Sequence, residues 1–209
     1  MSVASRIIVF VVALGLVSFP ALAGSVSIVE KFPDTQGQND FWAQEYSAAS
    51  GFADLAHWYT QGWYDSPLYP YPHMHVSGSN ILMHPSDDKY VVISYQAPHT
   101  GTYEFNLTFS DGTGGAGGGC TTRALVFRNS DATLPLMEGN VALNTPAYLV
   151  GSVHLDAGQF LRIALDSGDN MNSDATLLSG TIGMPEPGSM AAMGFGLAGL
   201  LVQALRRKR

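Results

Sequence analysis

VVISYQAPHTGTYEFNLTF, residues 91–109, decides the fold. Within it, TYEFNLTF (102–109) sets apolar side chains at every second position, the spacing that places them on one face of a strand. VVISYQA (91–97) is instead a continuous β-branched and apolar run of strand length. PHTG between them carries the proline and glycine of a tight turn. The stretch predicts two short strands joined by a turn.

The same signals recur outward along the chain. TRALVFRN (122–129), AYLVGSVHL (147–155), QFLRIALD (159–166) and ATLLSGTIG (175–183) read as strands, with LDAG (155–158) as a hairpin turn. SVSIVEKF (25–32), FWAQEY (41–46) and AHWYT (56–60) add candidates at the front. Eight or nine short strands punctuated by turns predict an all-β fold, an antiparallel β-sandwich of jelly-roll type. Between the two ends nothing supports a long amphipathic helix. YQAPHTGTYEFNLTFSD, RALVFRN and VHLDAGQFLRIALDSGDNMNSDAT together resemble a secreted sandwich module of bacterial surface proteins. That resemblance implies a fold and no particular ligand.

The ends differ from the body. MSVASRIIVFVVALGLVSFPALAG has one basic residue, Arg6, an apolar run over 7–19, and small residues at Ala21 and Ala23. This is the pattern of a secretory signal peptide over 1–23, cut by signal peptidase between Ala23 and Gly24. The other end, 184–209, opens with MPEPGSM, continues uncharged to Leu205 and stops on Arg206, Arg207, Lys208 and Arg209. Residues 188–205 are about long enough for a transmembrane helix at ~1.5 Å per residue. The basic tail 206–209 would stay on the cytoplasmic side. Pro185-Glu186-Pro187, the apolar stretch and the basic cluster, in that order, resemble the PEP-CTERM sorting signal of Gram-negative bacteria. The resemblance implies recognition by exosortase, cleavage near the motif, and release or attachment of the body at the surface. It also implies a link to exopolysaccharide and biofilm matrix. GFGLAG inside the tail matches G-x-G-x-x-G but lacks the strand and βαβ unit a dinucleotide site needs.

Between the ends, residues 24–183 form one domain by length. They carry five basic and sixteen acidic residues, a balance of −11 against −7 for the whole chain. Such a charge repels nucleic acid and anionic lipid. A single cysteine, Cys120, excludes an internal disulfide.

Several groups of residues invite a chemical reading. The segment 41–71 holds all three tryptophans and many tyrosines. Flat aromatic rings suit the apolar faces of sugars. Prolines in WYDSPLYPYPH argue for an exposed loop, so Trp63, Tyr64, Tyr69 and Tyr71 are the candidate ligand-binding residues. DSGDNMNSD offers Asp166, Asp169, Asn172 and Asp174 as oxygen donors for a structural calcium, although the EF-hand spacing is absent. No other cofactor is indicated. His73 and His75 in PHMHV would share one side of a strand, where His84 or His57 could complete a zinc set. DGTGGAGGGC (111–120) lacks the Gly-Lys-Ser/Thr of a phosphate loop and reads as a flexible connection. Neither G-x-S-x-G nor H-E-x-x-H is present, and no catalytic residue is assigned.

The sequence therefore predicts an exported, non-enzymatic component of the cell surface or extracellular matrix, sorted by exosortase through the inner membrane. A carbohydrate-binding module holding polysaccharide is the first alternative. An extracellular hydrolase is the second.

Overall fold

The structure is a computed structural model, and it describes residues 24–59, 62–66, 71–113, 121–168 and 174–184. The signal peptide 1–23, Cys120 with most of the glycine loop, and the tail 185–209 with its transmembrane stretch lie outside the described residues. Among the described residues no helix is long and apolar enough to cross a membrane.

Ser25–Met184 is one compact unit. Its strands are β1 (Val26–Ser27), β2 (Phe41–Ser47), β3 (Gly51–Asp54), β4 (His57–Tyr59), β5 (Gly62–Tyr64), β6 (His73–Ser77) and β7 (Asn80–His84). They continue with β8 (Tyr90–Gln96), β9 (Gly101–Asp111), β10 (Thr121–Arg128), β11 (Met137–Ala142), β12 (Ala147–Leu155), β13 (Phe160–Asp166) and β14 (Thr176–Gly183). The first sheet runs β12-β9-β14-β7-β6-β5-β4, with β1 also pairing β14. The second runs β11-β10-β13-β8-β2-β3. Every pairing is antiparallel. The protein is an all-β antiparallel sandwich of two sheets.

The strands read from the sequence between 91 and 183 fall where they are expected. The front is more finely divided. SVSIVEKF yields only β1, because the chain turns at once, with Lys31 N–H donating to Ser27 O at 3.2 Å. β3, β7 and β11 have weak strand signatures of their own and form because neighbours offer pairing edges.

The core lies between the sheets. β9 shows why: Tyr103, Phe105, Leu107 and Phe109 are buried, while Thr102, Glu104 and Asn106 are exposed. Across from it, Phe41, Ala43, Ile93, Ile163 and Val126 face inward from the second sheet. Burying each large apolar side chain contributes about 1.5–3 kcal/mol relative to leaving it in water. The Tyr103 hydroxyl donates to His99 O at 2.8 Å and so pins the PHTG turn.

Candidate functional site

The second sheet is buried on its outer face too, and this is where the site lies. β8 carries the signature: Val91, Ile93 and Tyr95 point into the core, yet Val92 and Ser94 on the other side are fully buried as well. Val92, Leu125, Phe127 and Ala164 form a second apolar cluster, flanked by Tyr46, Phe52, Tyr90 and Ala132. Strand register assembles it. Gln44 lies opposite both Asp54 and Val92, Val92 opposite Ala164, and Ala164 opposite Leu125. One row over, Trp42 faces Ser94, Ser94 faces Arg162, and Arg162 faces Phe127.

Arg162 is the centre of this face and only 7% exposed. Its Nη1 donates to Ser94 Oγ at 2.8 Å and to Gln44 Oε1, and its Nε donates to Asn129 O at 2.6 Å. Gln44 Nε2 then donates to Asp54 Oδ1 at 2.7 Å. The guanidinium carbon sits 3.8 Å from the Phe52 ring centre and 4.7 Å from that of Phe160, a cation–π arrangement. No carboxylate of the described residues is within salt-bridge reach of Arg162. Burial pushes its pKa down to about 10, against the pull of Asp54. Around it stand half-buried rings. Trp42 meets Phe160 edge-on at 5.4 Å, and Tyr46 lies 4.7 Å from Phe52 and 5.3 Å from Tyr90. Aromatic rings beside oriented polar groups on one face can hold a sugar chain, whose C–H faces stack and whose hydroxyls hydrogen-bond.

The residues read from the sequence fall elsewhere. Trp63 is not on an exposed loop; it lies in β5, is 6% exposed, and its Nε1 donates to Pro33 O at 2.7 Å. Its indole has the size and the hydrogen-bond partner of a core residue, which the proline-rich flank concealed. The exposed ring there is Trp58, packed edge-on against Trp63 at 5.3 Å. Tyr64 and Tyr71 do come together on the outer face of the first sheet, each 5.2 Å from His73. Tyr69 lies outside the described residues.

The histidines join this second cluster. His73 pairs across strands with His84, the ring centres being 5.5 Å apart, and lies 5.7 Å from His75. Gly62 opposite His75 leaves room for the ring's backbone, since a Cβ there would stand 2.5 Å from His75 Cβ. Burial lowers the pKa of both His75 and His84. Among the described residues no group of three or more His, Cys, Asp or Glu is placed to hold a metal ion.

Of the calcium candidates, Asp166 accepts from Arg123 Nη2 at 2.7 Å. Asp174 is fully buried; its Oδ1 accepts from Thr121 N–H at 3.3 Å while Oδ2 has no partner. Burial raises its pKa. Asp169 and Asn172 lie outside the described residues.

Sequence reasoning placed Trp42 and Tyr46 in the aromatic segment but did not single them out, and it missed Arg162, Phe160 and Phe52. The available signal was QFLRIALD itself, where an arginine interrupts an otherwise apolar strand.

The C-terminal residues decide what accompanies this sandwich. Residues 185–208 match the PEP-CTERM protein-sorting motif. A PEP-CTERM signal implies export and processing at a membrane on the way to the cell surface. No curated protein matches the chain.

Similar solved structures include the secreted serine protease VesC from Vibrio cholerae, at 10% identity and TM-score 0.38, over 55% of this chain and 24% of that one. The Podospora anserina GH26-CBM35 β-(1,4)-mannanase is similar at 15% identity and TM-score 0.36, over 69% and 28%. The CBM51 of Clostridium perfringens GH95, in complex with methyl-galactose, is similar at 12% identity and TM-score 0.39, over 77% and 100%. The chain thus spans about a quarter of the first two. At TM-scores below 0.5 these likenesses decide nothing about its ligand.

Proposed function

We propose that this PEP-CTERM protein is a non-enzymatic component of the cell surface or extracellular matrix, sorted by exosortase, whose sandwich holds polysaccharide. The observation that carries the reading is the outer face of the second sheet. There Trp42, Phe160, Phe52, Tyr46 and Tyr90 surround a polar network of Arg162, Gln44, Ser94 and Asp54. A sheet face turned from the core normally meets water with polar side chains; a face built of rings and oriented donors is suited to a ligand with both characters.

The test is affinity electrophoresis of the full chain through gels containing neutral and acidic polysaccharides. Retardation by at least one, relieved by Trp42→Ala at unchanged thermal stability, is the expected result. Free migration in every gel would overturn the reading. Turnover of any glycoside or ester substrate in a broad panel would favour the hydrolase instead.

A structural calcium at Asp166, Asp169, Asn172 and Asp174 is a second part of this proposal, favoured by the unpartnered, fully buried Oδ2 of Asp174. Chelation with EGTA should then lower the melting temperature, and an unchanged transition would dismiss the ion.

A further inference from the structure

We propose that the polysaccharide held on the second sheet is an acidic one, with a sugar carboxylate received by Arg162 Nη2. This rests on the sugar-binding reading above and narrows it to a chemical class.

The argument begins with the donors of the guanidinium. It has five N–H groups and no acceptor. Nε and Nη1 are engaged by Asn129 O, Gln44 Oε1 and Ser94 Oγ, all of them uncharged acceptors. Nη2, with two N–H groups, makes no hydrogen bond to the described residues. Nor is it sealed away. Among the described residues the fully buried side-chain polar atoms without a partner are His75 Nδ1 and Asp174 Oδ2, so Nη2 keeps an opening to solvent.

The charge also lacks a contact carboxylate, Asp54 acting on it only from beyond salt-bridge distance. Lys89 is met by Glu45 and Asp65, and Arg123 by Asp166 and Glu138, each within 4.0 Å. Among the described residues Arg162 has no such partner, although it is the most buried of these three cations. A charge held under aromatic rings without a counter-ion is costly unless something supplies one. Burial depresses its pKa, and the pull of Asp54 only partly opposes this. An anion arriving at Nη2 would complete the site, and a carboxylate fits two N–H groups of a guanidinium better than a hydroxyl does.

Long-range charge opposes this, since residues 24–183 carry −11. All three arginines of that body, Arg123, Arg128 and Arg162, nevertheless lie on β10 and β13. At ~0.15 M salt the Debye length is ~8 Å, which screens the distant acids and leaves a contact at hydrogen-bond distance.

The ligand side gives a test that needs no mutant. Polygalacturonate, its carboxyl-reduced derivative, dextran sulfate and neutral dextran are titrated against the full chain by calorimetry at 0.15 M salt. The expected result is binding of polygalacturonate roughly tenfold or more tighter than of the reduced polymer. Arg162→Lys, which keeps the charge and loses the fork, should remove most of that preference. Equal affinity for the acidic and reduced polymers would overturn this inference and leave the sugar-binding reading intact. Tighter binding of dextran sulfate than of polygalacturonate would overturn the choice of carboxylate. Failure of all four, together with free migration in every polysaccharide gel, would overturn both.

Discussion

β8 and β9 are joined by the PHTG turn and yet live in different surroundings. β9, in the first sheet, has one face in the core and one in water: Glu104 and Asn106 are exposed beside buried Tyr103, Phe105 and Leu107. β8, in the second sheet, is buried on both faces from Val91 to Tyr95. Two neighbouring strands with similar β-propensity thus end in different environments. The lesson is that an antiparallel sheet spends its outer face on water unless the neighbouring strands bring something else to it. Here they bring Arg162, Gln44 and a set of rings.

The sharpest way to break this comparison is to compare two phenylalanines. Phe109→Ala opens the core between the sheets and should cost about 3–5 kcal/mol in urea denaturation. Phe127→Ala opens the outer cluster, where the ring is 1% exposed. If that face is packed like a core, its cost falls in the same range. A loss under about 1 kcal/mol would show that the outer face contributes cover and little stability.

Arg162→Ala comes next. It leaves Ser94 Oγ and Asn129 O without the guanidinium donors, while Gln44 Oε1 keeps only the Ser94 hydroxyl, which donates at 2.6 Å. The expected loss is about 2–3 kcal/mol. A more stable variant would mean that the guanidinium is kept for ligand binding at the expense of the fold.

Trp63→Phe tests the residue whose placement the prolines concealed. It keeps most of the packing and removes the hydrogen bond to Pro33 O. A loss of about 1 kcal/mol is expected. No change, together with loss of glycan binding, would return Trp63 to the ligand site.

The smallest effect concerns pH and the other outer face. Burial holds the folded-state pKa of His75 and His84 below the ordinary 6.5. The unfolded chain then binds more protons, so stability falls as pH drops through 6.5 toward the folded values. Asp174, raised above 3.8, acts with the opposite sign: its contribution is present below 3.8 and lost as pH rises through its folded value. The melting temperature should therefore drop between pH 7.5 and 5.5, and by less in His75→Gln. A flat profile would contradict the burial of these rings.

Much of the fold was legible. The alternation in β9 and β12, the apolar runs of β8 and β13, and the turn residues between them are local signals, and local signals survive without the tertiary structure. β3, β7 and β11 were not legible, because their pairing depends on edges supplied from elsewhere. The site was less legible still. Gln44 and Arg162 are 118 positions apart, and Ser94 and Arg162 are 68 apart. No window of sequence holds them together. The histidines were half legible: i and i+2 on one strand gave His73 and His75, while cross-strand register delivered His84.

By itself, then, the sequence determined the all-β class, most strands, the acidic body and the PEP-CTERM signal at 185–208. Each depends on composition or on spacings of a few residues. Only the tertiary structure decided that Trp63 is core, that one sheet is buried on both faces, and that Arg162 lies against Phe52 and Phe160 with no carboxylate of the described residues in salt-bridge reach. Those outcomes depend on which strands pair and in what register, and pairing is a property of the whole sheet.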